Sequence, residues 1–305
     1  MAKFEVNILG CGSATPTLRH QPTSQVIDHR DRLFMVDCGE GAQLQMRRQR
    51  LKFSRLNHIF ISHLHGDHCL GLTGLLSTLA LHEKGSAVTL HMFPEGADYF
   101  KRALGFFCGD TPYKIHFNVI PHGYTGIVYE DDSLSVEAFP LYHRIACSGY
   151  IFREKPKARH IRPDMVDFYK VPVREMGRIR AGADFVAPDG TVVDNVRLTS
   201  PAEPALSYAF CSDTMFDERV AKAVEGVDLL YHEATYDDSC AHNARKRGHS
   251  TAREAGRIAR MAGVGRLVLG HFSKRYLTEE SLLREAMEEF PDVIVANEGM
   301  KIKLL

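Results

Sequence analysis

No two cysteines of this chain stand as a CxxC pair, and the seven present (Cys11, Cys38, Cys69, Cys108, Cys147, Cys211, Cys240) are odd in number and widely scattered. That argues against a disulfide framework and against a cysteine zinc site, and leaves most of them as small buried residues. No apolar run approaches the roughly 18 residues that span a bilayer, and the start, Met1-Ala2-Lys3-Phe4-Glu5, lacks a signal-peptide core. A cytoplasmic protein with no membrane partner is therefore expected. Internal repeats and low-complexity segments are also absent. Net charge is missing too, since 38 basic and 38 acidic residues cancel. A zero balance ordinarily speaks against a nucleic-acid partner. What remains, 305 residues of which 44% are hydrophobic, is enough to bury the core of one large domain or of two joined halves.

Against that background one hexapeptide stands out. Residues 63–68 read His63-Leu64-His65-Gly66-Asp67-His68, directly after the apolar Ile59-Phe60-Ile61. In extended chain, residues two apart point the same way, so His63 and His65 can grip one ion together. A tight turn at Gly66 would then swing Asp67 and His68 toward a second ion. Imidazole with carboxylate suits zinc, and less selectively manganese, iron or cobalt, and a carboxylate in place of thiolates favours an open hydrolytic site. A histidine-rich surface loop is the plainer alternative. It fits poorly with a loop held between a strand and an amphipathic helix.

Strand and helix signals alternate along the chain, giving an α/β class. Phe4–Leu9, Gln25–Asp28 and Leu33–Val36 read as strands at the start of a sheet. Leu72, Leu75, Leu76 and Leu79 fall at helical spacing, which places a helix immediately behind the metal loop. Helices are also expected over Asp217–Val224 and Thr251–Met261. Thr251 with Glu254 forms a capping-box pair, and Gly263 supplies the stop. Val227–Tyr231, Arg266–Leu269 and Val293–Ala296 are strand candidates between them, and two sheets flanked by helices account for the pattern. The early Gly10-Cys11-Gly12-Ser13-Ala14-Thr15 is not a dinucleotide fingerprint, because Thr15 occupies the place of the third glycine. It reads as a turn whose amides could face a phosphate.

Two metals need more donors than one loop provides, and candidates recur at strand ends. His143 follows Leu134–Phe139, Asp213 follows Ser207–Phe210, and His271 follows Leu267–Leu269. A carboxylate such as Asp213 can bridge two cations, one oxygen to each. The charge is also unevenly spread. From Arg153 to Gly182 nine basic residues (Arg153, Lys155, Lys157, Arg159, Arg162, Lys170, Arg174, Arg178, Arg180) meet four acids. With Pro156, Pro163 and Pro172 and little periodicity, this stretch reads as an extended arm. Beside a hydrolytic metal site it suits a phosphate-backbone clamp, although a solvated charge run is the commoner meaning of such a segment.

The order HxHxDH, His, Asp, His resembles the metallo-β-lactamase superfamily and, within it, the ribonuclease Z family. The resemblance rests on Ser62 to Leu72, on His232-Glu233-Ala234-Thr235, on Gly248-His249-Ser250-Thr251-Ala252, and on Gly270-His271-Phe272-Ser273-Lys274-Arg275-Tyr276. It implies a four-layer αββα sandwich over residues 1–305 with a flexible, basic tRNA-binding arm inserted at 153–199. The implied activity is removal of the 3′ trailer from precursor tRNA, with two Zn2+ per subunit or another divalent metal such as Mn2+, in a cytoplasmic homodimer. It also implies ligand sets: His63, His65 and His143 for one ion, Asp67, His68 and His271 for the other, Asp213 bridging, and Asp37 bracing the metal loop. Asp67 is the implied proton acceptor, and His249 with Glu233 the pair tied to proton delivery. Taken alone, His249 would be a helix neighbour and Glu233 a salt-bridge partner. Ser273 and Arg275 join the arm's Arg153, Lys155, Lys157, Arg159, Arg174, Arg178 and Arg180 as candidate RNA contacts.

Two departures from the family pattern stand in this chain. The arm has Lys170-Val171-Pro172-Val173 and Met176-Gly177-Arg178 in place of a glycine-proline pair, and Ser212 precedes Asp213 where glycine is usual. Competing functions are a small-molecule or cyclic-nucleotide phosphodiesterase, which would not need the arm, and a lactonase or thioesterase, which the second and third segments disfavour. A catalytically silent RNA-binding subunit would be expected to lack ligands, and none is missing.

Overall fold

The computed structural model describes residues 3–82, 85–109 and 111–304. Phe4–Gly10, Ser24–His29 and Arg32–Cys38 form an antiparallel meander. Lys301–Lys303 closes one side of it, and Leu56–Phe60, Val88–Met92 and Ile115–Val119 extend the other in parallel, giving seven strands. The meander strands are buried almost throughout, which explains why they read as apolar runs more than as clean alternation. One face packs on helices Ala42–Arg48, Leu72–Leu81 and Pro94–Phe107 through a cluster that includes Leu33, Met35, Leu72, Leu75, Leu76, Leu79 and Phe100.

The other face meets a second seven-stranded sheet, ordered Val293–Val295, Arg266–Gly270, Leu229–Glu233, Ser207–Cys211, Ala146–Glu154, Leu134–Tyr142 and Gly126–Glu130. Aromatic rings fill the space between the sheets: Phe60 lies 5.2 Å from Tyr150 and 5.6 Å from Phe152, which also meets Phe34. Helices Glu218–Ala223, Ala252–Ala262 and Glu280–Met287 cover the outer face. The last turn of sequence logic is visible in Ala252–Ala262, where Thr251 accepts from Glu254 N, Glu254 accepts from Thr251 N, and Gly263 ends the helix at φ 60°. None of the helices among the described residues is long and apolar enough to cross a membrane.

The chain divides into two compact units. The first holds both sheets, and the second comprises Asp132–Leu134 with Glu154–Ala205. The second unit covers the stretch expected as an extended arm, and it is folded. Short helices Pro163–Phe168, Met176–Arg180 and Asn195–Leu198 and two small ribbons surround Val166, Val171, Ile179, Phe185, Val193 and Leu198. Asn195 ties the centre together, donating from Nδ2 to Ile179 O at 2.7 Å and to Ala183 O at 2.8 Å. Helices of six, five and four residues contribute one or two core positions each. That is too few to register as periodicity, so the charges dominated the reading.

Candidate metal centre and active-site cavity

The metal loop leaves strand Leu56–Phe60 in extended form through His65, whose φ and ψ are −69° and 148°, and then enters the one-turn helix Gly66–Cys69. Residues 63 and 65 share a direction as the extended chain requires. Gly66 does not provide a left-handed turn, since its φ is not positive. Asp67 and His68 are redirected by the helical turn itself.

Two donor groups result. In one, His63 Nε2 and His143 Nε2 stand 3.0 and 3.2 Å from His65 Nδ1. In the other, His68 Nε2 lies 3.3 Å from His271 Nε2, and both are 3.4 Å from Asp67 Oδ2. Asp213 sits between them. Its Oδ2 faces His63 and His143 at 3.5 and 3.8 Å, and its Oδ1 faces His68 and His271 at 3.5 and 3.1 Å. Metal–nitrogen bonds of about 2.0–2.1 Å would set tetrahedral donors roughly 3.3 Å apart, so these separations fit a pair of cations. Asp213 Oδ1 is buried without a hydrogen bond, a costly state for a carboxylate oxygen that a cation would relieve.

The outer nitrogens of the imidazoles are fixed by neighbours, which sets which ring atom faces inward. His143 Nδ1 donates to Gly248 O at 2.6 Å, and His271 Nδ1 donates to Thr235 Oγ1 at 2.8 Å. Asp37, buried at φ 55°, accepts from Ser62 N and Oγ at 2.7 and 2.8 Å and pairs with His68 Nδ1 at 2.7 Å. Ser62 Oγ in turn stands 3.1 Å from His63 Nδ1 and 2.9 Å from Ser212 Oγ. The serine that replaces glycine before Asp213 is thus part of the brace. Backbone strain gathers here, since His271 at φ 59° is left-handed as well. Burial lowers the pKa of His63, His65 and His143, keeping them in the neutral form that a ligand needs. Burial pushes Asp67 the other way, but His271 and His68 outweigh it and hold Asp67 as a carboxylate.

Glu233, fully buried, accepts from Thr214 N at 2.9 Å and Thr235 Oγ1 at 2.5 Å and pairs with His249 Nδ1 at 2.9 Å. Burial alone would depress His249; the charge and hydrogen bond of Glu233 reverse that and lift its pKa to about 9. His249 joins Asp67, Asp213 and His271 in the wall of a cavity of about 340 Å³.

Curated relatives match this sequence over the full chain. It is 54% identical to ribonuclease Z of Parabacteroides distasonis and 53% identical to that of Bacteroides fragilis, with 100% of each chain covered in both cases. The chain belongs to the ribonuclease Z family. Among solved structures, human tRNase Z, short form, superposes with a TM-score of 0.71 at 24% identity over 98% of both chains. The metallo-β-lactamase fold protein YhfI of Bacillus subtilis gives 0.69 at 18% identity over 99% of this chain and 100% of its own. These likenesses establish a metallo-β-lactamase fold, which implies divalent-metal binding. A family described as Anti-Pycsar protein Apyc1 also matches, over residues 4–98.

The remaining candidates of this ribonuclease Z chain divide. Ser273 lines the cavity. Arg275 does not line it; it stacks 4.9 Å over the lining residue Tyr236, with Nη1 on Cys240 Sγ at 2.7 Å. In the second unit, Lys157 pairs with Glu154 at 2.7 Å, Arg159 donates to Thr199 at 2.7 Å, and Arg174 and Arg178 lie 3.7 and 3.1 Å from Glu175. Arg153, in the first unit, lies 3.7 Å from Glu137. Lys155 is engaged as well, and Arg180 is exposed. Sequence reading missed Arg144, Arg247 and Lys274, which bring positive charge to the cavity wall. Their only signal was adjacency, for each lies within two residues of His143, His249 or Ser273. Ser13, Ala14 and Thr15 line the same cavity, but Ser13 N is spent on Phe272 O at 3.0 Å.

Proposed function

We propose that this chain is the endoribonuclease that removes the 3′ trailer from precursor tRNA, leaving tRNA with a 3′-hydroxyl and trailer with a 5′-phosphate. The observation that carries it is Asp213 set between two donor groups, one oxygen to each, at the floor of a cavity walled by Arg144, Arg247 and Lys274, in a full-length relative of ribonuclease Z. We assign His63, His65 and His143 to one divalent ion and Asp67, His68 and His271 to a second, both bridged by Asp213, with zinc the best match to the donors and manganese next. When bound, such ions supply a water of lowered pKa and screen a nonbridging phosphate oxygen.

The chain's own groups do the rest. Asp67 directs Oδ2 at the ligand nitrogens, which leaves Oδ1 to orient the attacking water and accept its proton. His249, charged and held by Glu233, delivers a proton to the leaving 3′ oxygen. The cations of the cavity wall position the phosphates on either side of the cut. The second unit grips the folded tRNA through backbone and shape, and in a homodimer it would serve the partner's cavity. Such an enzyme acts where tRNA is matured, in the cytoplasm.

The deciding experiment is to incubate metal-loaded protein with a 3′-extended precursor tRNA and map both product ends, beside Asp67→Ala. One cut at the end of the mature tRNA, with kcat reduced by about 10²–10⁴ in the variant, supports the reading. No cut, together with robust hydrolysis of a small or cyclic phosphodiester, would move the function to a phosphodiesterase of the same fold.

A further inference from the structure

A second cavity, of about 600 Å³, is lined by none of the proposed ligand residues. Four cations face it: Arg19, Arg48, Arg50 and Lys301. Arg19 is taken up by Glu279 at 2.7 Å, and the carboxylate of the wall, Glu298, is bound to His20 Nδ1 at 2.9 Å. Arg48, Arg50 and Lys301 have no ion pair or side-chain hydrogen bond among the described residues. Three unneutralised charges therefore converge on a concave surface in a chain of zero net charge.

Helix electrostatics explain Arg48, which sits in the last turn of Ala42–Arg48 at the negative end of the dipole. They do not explain Arg50. Leu51 N donates to Met46 O at 2.9 Å and Arg50 N to Arg47 O at 3.0 Å, a closure in which the residue at position 50 is left-handed, here at φ 57°. Glycine is the low-strain choice at such a place. This chain keeps an arginine there, with its charge at the cavity.

The cavity is joined to the active site by one strap of chain. Residues 13–15 line the metal cavity and residues 18, 19 and 21 line this one. The three residue steps from Thr15 to Leu18 reach at most about 11 Å, so a strand leaving the first cavity meets the second within a few nucleotides. Gly12 N on Gln21 O and Phe272 N on Cys11 O, both 2.9 Å, pin the strap in place. Gln21 and Asn297 set amides beside the cations, a lining that suits bases as well as phosphates. A helical stem is too broad for a recess of this size; a single strand threads it.

We propose that this cavity binds the phosphates of the single-stranded 3′ trailer beyond the cut, an inference that rests on the nuclease reading above. The test compares wild type with the triple variant Arg48→Gln, Arg50→Gly, Lys301→Gln. The substrates are two precursors, one with a trailer of about twenty nucleotides and one with a single nucleotide. Because Arg50→Gly relieves strain, the variant should melt no lower than wild type. On the long trailer its KM should rise about tenfold with kcat kept, and on the short one neither should change. A fluorescent, 5′-phosphorylated trailer oligonucleotide should bind the variant more weakly by anisotropy, with its log Kd against log salt slope reduced by about 2, as loss of three phosphate contacts requires. Equal loss on both precursors would assign the cavity to the tRNA body, and no loss on either would leave it without an RNA; both overturn the proposal. Wild type cutting neither precursor would overturn the nuclease reading on which it stands.

Discussion

Asp37 shows how much of this site is carried by residues that would touch no metal. It is buried and left-handed, with its two oxygens shared among Ser62 N, Ser62 Oγ and His68 Nδ1. Asparagine tolerates that backbone conformation but cannot accept through both of its terminal atoms. Asp37→Asn is therefore expected to fold while losing about 10–100-fold in metal affinity, measured by competition with a chromophoric chelator; unchanged affinity would remove Asp37 from the brace. His20 offers a second residue-level prediction, on stability. Burial lowers its pKa, but Glu298 at 2.9 Å and Glu279 at 3.2 Å prevail and the net shift is upward. A raised folded pKa stabilises below the unfolded value, near 6.5, and the gain is lost as pH rises through the folded value. His20→Gln should therefore be less stable than wild type at pH 6, read as a lower melting temperature, and the gap should narrow as pH rises through the raised folded value. A constant gap across that range would show that packing, not charge, is what His20 contributes. The candidate donors were legible in sequence through their order and their recurrence at strand ends, although each alone is more often structural. Arg144, Arg247 and Lys274 were not, because nothing in a basic side chain says which way it faces.

Among elements, the legible ones were those whose ends carry chemistry. Helix Ala252–Ala262 was marked by Thr251, Glu254 and Gly263, and all three act as the spacing implied. Cap geometry also matters to the site, since His249 and the Gly248 carbonyl that fixes His143 lie just ahead of Thr251. Thr251→Ala removes the acceptor for Glu254 N and should cost about 1 kcal/mol, read as a melting temperature lower by roughly 2–4 °C. Metal content should be unchanged; a loss of metal would mean that the cap holds the ligand loop in register. The turn after His65 was legible only in part. Glycine suggested a tight turn, and the chain makes it as one helical turn, a conformation that any residue adopts and no single letter announces.

At the scale of the whole molecule, the second unit is where the sequence said least about structure and most about charge. Its short helices and ribbons close over their own core, with Val166 and Leu198 at opposite ends of the stretch. A deletion of residues 155–180 would cut that core in half and leave exposed apolar remnants. The sheet suggests a cleaner excision. Strands Ala146–Glu154 and Ser207–Cys211 are antiparallel neighbours, with Arg153 opposite Ser207, so replacing residues 154–206 by Asn-Gly would join them as a two-residue hairpin of the favoured type. The first unit keeps both sheets, both donor groups and the cavity. Hydrolysis of a small phosphodiester should therefore persist within about twofold, while KM for precursor tRNA rises by about tenfold or more and loses much of its salt dependence, as removal of phosphate contacts demands. Parallel loss on both substrates, with the metal still bound, would mean that the second unit shapes the catalytic cavity itself and is not a separate grip on the RNA.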